Sequence, residues 1–187
     1  MGVHMPSITA QLNARVMPMD RGSIFEDPLD EVLQKSGIGH IDGGGTMQSK
    51  SGEIDFCDIE IETNDLNDST LATIVEALEG LGAPRGSKLR FAGARPDMSF
   101  GRNEGLAVYL NGTDLPDDVY KESDIDFVYS ELNRLMGDAG RIFSYWSGPT
   151  ETALYLYGPS FTGMKAAIAG FLSSYPLCQR CRVVQIA

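Results

Sequence analysis

The chain has 187 residues, 42% apolar and 22% charged, with a formal net charge of −11; that length can bury a core as one large or two small domains, and the composition excludes wholesale disorder. So large a negative excess repels phosphate backbones, which argues against non-specific nucleic-acid binding and leaves a basic partner or plain solubility as its use. Three cysteines give no even disulfide framework, no apolar run approaches the roughly 20 residues that cross a bilayer, and the first residues lack a secretory signal, so a cytoplasmic protein is expected.

Residues 1 to 6 read as a frayed end. Ile8, Ala10, Leu12, Ala14 and Val16 then alternate with polar residues, the period of a half-buried strand. Residues 17 to 26 connect it to a helix whose start is signalled by Asp27-Pro28, whose face carries Leu29, Val32 and Leu33, and whose stop is Gly37. A second strand is expected over residues 38 to 42, broken by Gly43-Gly-Gly45. The polar Ser49-Lys-Ser-Gly52 turns the chain into Glu53-Ile-Asp-Phe-Cys-Asp-Ile-Glu-Ile-Glu62, a third strand. Asn67 or Asp68 caps a helix carrying Leu71, Ile74, Val75 and Leu78, Gly82 ends it, and Ser87-Lys-Leu-Arg-Phe91 closes the first half as a fourth strand.

Residues 93 to 104 are rich in loop formers and predict a linker between two units, residues 1 to 92 and 105 to 187. After it the order returns. Residues 106 to 111 predict a strand. Ser123 with Asp126 resembles a capping box for a helix carrying Phe127, Leu132, Leu135 and Met136, stopped at Gly137. Residues 141 to 146 predict the next strand. Leu154 and Leu156 answer Ile59 and Ile61 at an offset of 95 residues, Ile168 answers Ile74 at 94, and Val184 and Ile186 answer Leu89 and Phe91 at 95. An offset held this closely is the mark of an internal duplication. The expected fold class is therefore α+β: two tandem ferredoxin-like (βαββαβ) units, each an antiparallel sheet with both helices on one face.

The segments Leu12-Asn-Ala-Arg, Phe25-Glu-Asp-Pro-Leu, Gly43-Gly-Gly-Thr, Gly52-Glu-Ile-Asp-Phe-Cys-Asp-Ile-Glu and Gly82-Ala-Pro-Arg-Gly-Ser resemble a group of uncharacterised bacterial proteins. Leu154-Tyr-Leu-Tyr-Gly-Pro159 and the helix after it resemble a repeat unit of other small bacterial proteins, some of which resemble toxin-immunity proteins. The resemblance implies the tandem fold and, by analogy, a protein that masks another.

Strand alternation predicts what the sheet faces away from the helices display. With Ile59 and Ile61 inward, Asp58, Glu60 and Glu62 turn outward; with Val108, Leu110, Leu154 and Leu156 inward, Tyr109, Tyr155 and Tyr157 turn outward. Three alternating carboxylates form a solvated face, or, together with Asp114, Asp117, Asp118, Asp124 and Asp126, present negative potential to a basic protein. Three outward phenols serve sheet packing, a dimer contact or a protein partner. RNA stacking is disfavoured because the basic-aromatic motif of RNA-recognition modules is missing.

Other signals are bland. Cys178-Gln-Arg-Cys181 supplies two soft ligands where structural zinc takes four, with only Cys57, His4 and His40 to complete a set, and it enters a strand rather than opening a helix, as a redox pair would. The acids of residues 112 to 126 lack the order of an EF-hand, and Gly43-Gly-Gly45 lacks that of a phosphate loop. No metal or cofactor is expected. The reading is a non-enzymatic protein-binding module, concretely an immunity or inhibitor protein against a basic toxin, contacting its partner through Asp58, Glu60, Glu62, Tyr109, Tyr155 and Tyr157. The alternatives are a sensor or enzyme with a ligand between the units, using His40, Asp42, Arg141 and Trp146, and a structural homodimer.

Overall fold

The computed structural model describes residues 5 to 187, so the first part of the expected frayed end, and His4 with it, lie outside the described residues. The chain divides into two compact units, one of residues up to 49 with 54–102 and the other of Lys50–Glu53 with Asn103–Ala187.

The first unit begins with strand β1 (Ser7–Leu12), in which Ile8, Ala10 and Leu12 are buried while the residues between them are not. The connector expected after it is helical instead. Helix α1 (Pro18–Arg21) runs through a π turn (Gly22–Glu26) directly into α2 (Asp27–Ser36). Asp27 is thus not a cap, because the turn before it is already wound. A buried ion pair fixes this junction: Arg21 Nε donates to Glu26 at 2.6 Å and Arg21 Nη1 to the Thr46 hydroxyl at 2.6 Å. Gly37 takes φ +66° and ends α2, as its left-handed freedom predicts.

Strand β2 (Gly39–Gln48) runs through the triple glycine rather than stopping at it, with a bulge between Ile41 and Gly43. The reason is steric. A Cβ at Gly44 would lie 2.4 Å from Glu26 Oε1 and 2.8 Å from the Asp58 carbonyl oxygen, so the glycine is what lets the strand pass over the Arg21–Glu26 pair. Strand β3 (Ile54–Thr63) follows, then α3 (Asp68–Gly80), capped by Asn67, which accepts from the Thr70 amide at 2.9 Å. β4 (Ser87–Phe91) comes next. Within the expected linker lies a further short strand, β5 (Met98–Phe100), which pairs with β4 and extends the first sheet. Loop-forming composition hid it because its three residues are too few to show a period.

The first sheet has the order β2-β3-β1-β4-β5, antiparallel throughout. The second is built of β6 (Glu104–Asn111), β7 (Arg141–Ser147), β8 (Glu151–Gly158) and β9 (Arg182–Gln185), in the order β7-β8-β6-β9, again antiparallel. Apart from β5 the two orders are the same, second-third-first-fourth along the chain of each unit, which is the split βαβ arrangement.

In the second unit, α4 (Asp117–Glu122) precedes α5 (Ile125–Met136), and the cap is Asp124, which accepts from Asp126 N at 2.8 Å, rather than Ser123. With α6 (Phe161–Ser174), α5 covers one sheet face: Val128, Leu132, Met136, Met164 and Ile168 form one core with Leu106, Val108, Leu110, Leu154 and Leu156. Phe127 is not part of it. It stands 47% exposed beside Phe171 and Tyr175. The last strand also departs from expectation, for Val183 pairs with Val108 and packs against that core, while Val184 pairs with Ala107 and faces the other way. A slip of one residue turns every side chain of a strand over. Val184 and Ile186 therefore do not take the places of Leu89, which pairs with Ala10, and Phe91, which pairs with Ile8.

Candidate functional site

On the first sheet, residues paired across neighbouring strands share a face. Ile8, Ala10, Leu12, Cys57, Ile59, Ile61 and Leu89 are all at 0 or 1% exposure and form the buried side. The opposite side carries rows of polar residues. Glu60 pairs with Thr9 and Thr9 with Arg90; Asp58 pairs with Gln11 and Gln11 with Lys88. Glu62 sits beside Ser7 on one side and His40 on the other.

The acids thus face away from the buried side, as alternation predicts, but they are not a free solvated fringe. The Thr9 hydroxyl donates to both oxygens of Glu60, at 3.1 and 2.9 Å, and Gln11 Nε2 donates to Asp58 at 3.2 Å. His40 Nε2 lies 3.6 Å from Glu62 Oε2. All three carboxylates are half-buried. Asp58 and Glu60 are each held by a neutral donor on β1, while Glu62 has only the imidazole of β2 nearby.

Lys88 and Arg90 complete the face, and sequence reasoning passed over them. Their signal was present: Leu89 inward puts Lys88 and Arg90 outward by the same alternation that exposed the acids. What alternation lacked was the strand order, which sets β4 beside β1 and so brings two cations opposite two anions across one strand. Lys88 Nζ pairs with Asp97 at 2.9 Å. A concavity of about 400 Å³ lies among Ser7, Thr9, Asp58, Glu60, Lys88 and Arg90, with Asp97 at its rim. The picture of a purely acidic first face is corrected accordingly. It is acidic along β3, neutral along β1 and basic along β4.

The tyrosines of the second sheet require a larger correction. They do turn away from the helices, since Tyr155 pairs with Ala107, Tyr157 with Gly105 and Tyr109 with Ala153. They are not exposed. Tyr109, Tyr155 and Tyr157 stand at 6, 0 and 1%. Small residues on the paired strand leave room for the rings to lie flat, and a Cβ on Gly105 would come 2.8 Å from Tyr157 Cε1. Tyr157 packs on Phe143 with centroids 4.9 Å apart, and the Arg182 guanidinium lies 4.4 Å from the Tyr109 centroid. Both the Tyr155 hydroxyl, at 2.7 Å, and the Tyr109 hydroxyl donate to Glu53. Buried phenols need such an acceptor. Contact with a partner, or with a second copy, through these three rings is incompatible with their burial.

The remaining candidates are divided between the two units. Arg141 lies over the Phe143 ring at 4.9 Å in the second unit, and Asp42 is an exposed residue of β2 in the first. Cys178 closes a short turn (Pro176–Cys178), and the chain reverses at Arg180, φ +60°, with the Cys181 amide donating to the Cys178 carbonyl at 3.2 Å. Burial pushes the Cys178 thiol up to about 12 and raises that of Cys181, the opposite of what a reactive pair needs. Burial likewise pushes Cys57 up to about 12. Among the described residues no group of three His, Cys, Asp or Glu side chains is placed to hold a metal ion, and no helix is long and apolar enough to cross a membrane.

No known family profile matches the chain, and no curated protein matches it. Solved structures do align with it over most of their length. The first two RRM domains of the yeast poly(U) binding protein align at 12% identity over 96% of this chain and 99% of that one, with a TM-score of 0.26. The regulatory subunit of aspartate kinase from Thermus flavus aligns at 13% over 90% and 94%, with a TM-score of 0.30. A putative monooxygenase from Fusobacterium nucleatum aligns at 9% over 98% and 92%, with a TM-score of 0.31. Agreement this loose decides neither fold nor function, and the three descriptions differ from one another.

Proposed function

We propose that the protein is a non-enzymatic binding module of the cytoplasm, most concretely an immunity or inhibitor protein that masks a basic partner such as a toxin, and that its two units arose by duplication of one βαββαβ element. The reading is supported chiefly by one observation: Asp58 and Glu60, half-buried on the polar face of the first sheet, are held by hydrogen bonds from Gln11 and Thr9. A carboxylate already oriented by Gln11 or Thr9 loses little freedom when a cation meets it, so preorganisation favours binding. The net charge of −11 adds long-range attraction for a basic protein and speeds encounter. Lys88 and Arg90 set the orientation, because a partner must present its positive patch to β3 and not to β4. The common strand order supports the duplication, which the one-residue slip of β9 has since blurred.

The test is capture from the native host with tagged wild type and with a D58K/E60K variant. The expected result is a stoichiometric protein of high isoelectric point held by wild type and lost with the variant. Capture of no such protein, or equal capture by both, refutes the reading.

A further inference from the structure

The second unit carries an aromatic surface that the binding face above does not use. Phe127, exposed at 47%, lies 5.3 Å from the Tyr175 ring and 6.0 Å from that of Phe171, and Phe171 stacks on Tyr175 at 5.1 Å with planes 17° apart. Phe171 and Tyr175 are half-buried against the core, and Phe127 beside them presents an exposed ring of the kind that marks a contact surface.

Beside it is a cleft of about 260 Å³ lined by Asp118, Val119, Glu122, Ser123, Tyr175 and Pro176. Its volume falls below the roughly 300–1,000 Å³ of metabolite pockets and suits one long side chain. Asp118 and Glu122 are four apart on α4 and so stand on one helix face, a like-charge spacing that disfavours a helix unless a cation sits between them. Tyr175 forms the aromatic wall, and its hydroxyl is fixed by accepting from the Asp124 amide at 3.2 Å. Around the cleft, residues 117 to 126 hold Asp117, Asp118, Glu122, Asp124 and Asp126 against the single cation Lys121. Two carboxylates and a phenol ring are the elements of a guanidinium site, the carboxylates accepting its N–H groups and the ring attracting its charge.

The geometry points to a docking site for an arginine-bearing peptide segment of a protein partner: the guanidinium enters the cleft between Asp118, Glu122 and Tyr175, and an apolar neighbour of that arginine lies on Phe127 and Phe171. The charge of the rim excludes an acidic segment, and the exposed Phe127 ring beside the cleft favours a peptide over a free small cation.

The test is a titration of the full-length ¹⁵N-labelled protein with unlabelled Ac-Gly-Leu-Arg-Leu-Gly-amide, followed by amide shifts. Binding at about 1 mM or tighter is expected, with shifts confined to residues around 118–127 and 171–176 and at least about tenfold weaker for the peptide with glutamine in place of arginine. D118N/E122Q is expected to weaken binding by about tenfold or more, and F127A several-fold, with the remaining spectrum unchanged as proof of folding. D58N/E60Q is expected to leave the titration unchanged, which separates this site from the face of the first sheet. Absence of shifts, equal binding of the glutamine peptide, or full binding by D118N/E122Q overturns the assignment. So does a dimer in sedimentation that F127D abolishes, since a second copy would then be the occupant.

Discussion

The Tyr155 hydroxyl donates to the Glu53 carboxylate at 2.7 Å across 102 positions of sequence, and Tyr109 donates to the same oxygen. One carboxylate thereby satisfies two buried phenols that strand alternation alone would assign to solvent. The segment Lys50–Glu53 is part of the second unit, although the strands on either side of it belong to the first.

Tyr155→Phe keeps the ring and deletes the donor. A hydrogen bond to a charged group is worth about 1.5–3 kcal/mol, and because Tyr109 remains on Glu53 the loss is expected at the lower end. Tyr155→Ala also removes a ring that is 0% exposed, at a cost of about 3–5 kcal/mol. Urea unfolding of both variants checks the order; equal stability of the phenylalanine variant and wild type would show that the hydroxyl contributes nothing.

Arg21 is the buried charge of the first unit, its side chain 10% exposed and that of Glu26 21%. Arg21→Ala strands Glu26 and leaves Thr46 without its donor, so a loss of about 3 kcal/mol is expected. Arg21→Met, which keeps the stem but not the charge, is expected to be destabilised as well, and E26Q added to it should recover part of the loss. Chemical denaturation of the double mutant against the single decides this.

Gly44→Ala puts a methyl carbon 2.4 Å from Glu26 Oε1 and 2.8 Å from the backbone carbonyl oxygen of Asp58. Both cannot yield, so a fall of several degrees in Tm is expected, against little change for Gly45→Ala, where no atom lies within 4 Å. Thermal melts followed by circular dichroism compare the two.

Acid sensitivity has a local source on the second sheet. Arg182 donates to both oxygens of Glu151, each at 2.9 Å, and this hydrogen bonding holds the Glu151 carboxyl below its ordinary 4.5. A depressed carboxylate contributes stability that is whole above its unfolded value and fades as pH falls through its folded one. The difference between wild type and Glu151→Gln is therefore expected to be constant above about pH 5 and to shrink below about pH 4. Denaturation curves from pH 7 to pH 3 trace it. The pair is largely exposed, so the difference is small and salt-dependent.

Thiol labelling should follow burial. Cys181 is half-buried while Cys57 and Cys178 stand at 0 and 1%, and burial raises the thiols of all three. A native-state thiol assay at pH 8 is expected to modify Cys181 slowly and the other two only on unfolding. Rapid reaction at Cys178 would revive the redox reading.

Period and punctuation made most strands and helices legible from the chain alone. The alternation of Ile8, Ala10 and Leu12, the helical spacing of Leu71, Ile74 and Leu78, and the stops at Gly37 and Gly137 all name local preferences, which a residue expresses wherever its neighbours are. Alternation also told correctly which side of the strand Glu60 and Tyr155 take. It could not tell what covers that side, because period 2 distinguishes two faces without saying which of them meets water. Lys88 and Arg90 came opposite Asp58 and Glu60 only through the strand order, Phe127 stands outside the core that Val128, Leu132 and Met136 form, and Val184 turned over through a register slip of one residue. Those are decisions of pairing and packing between distant segments, and no window of local sequence contains the energies that make them.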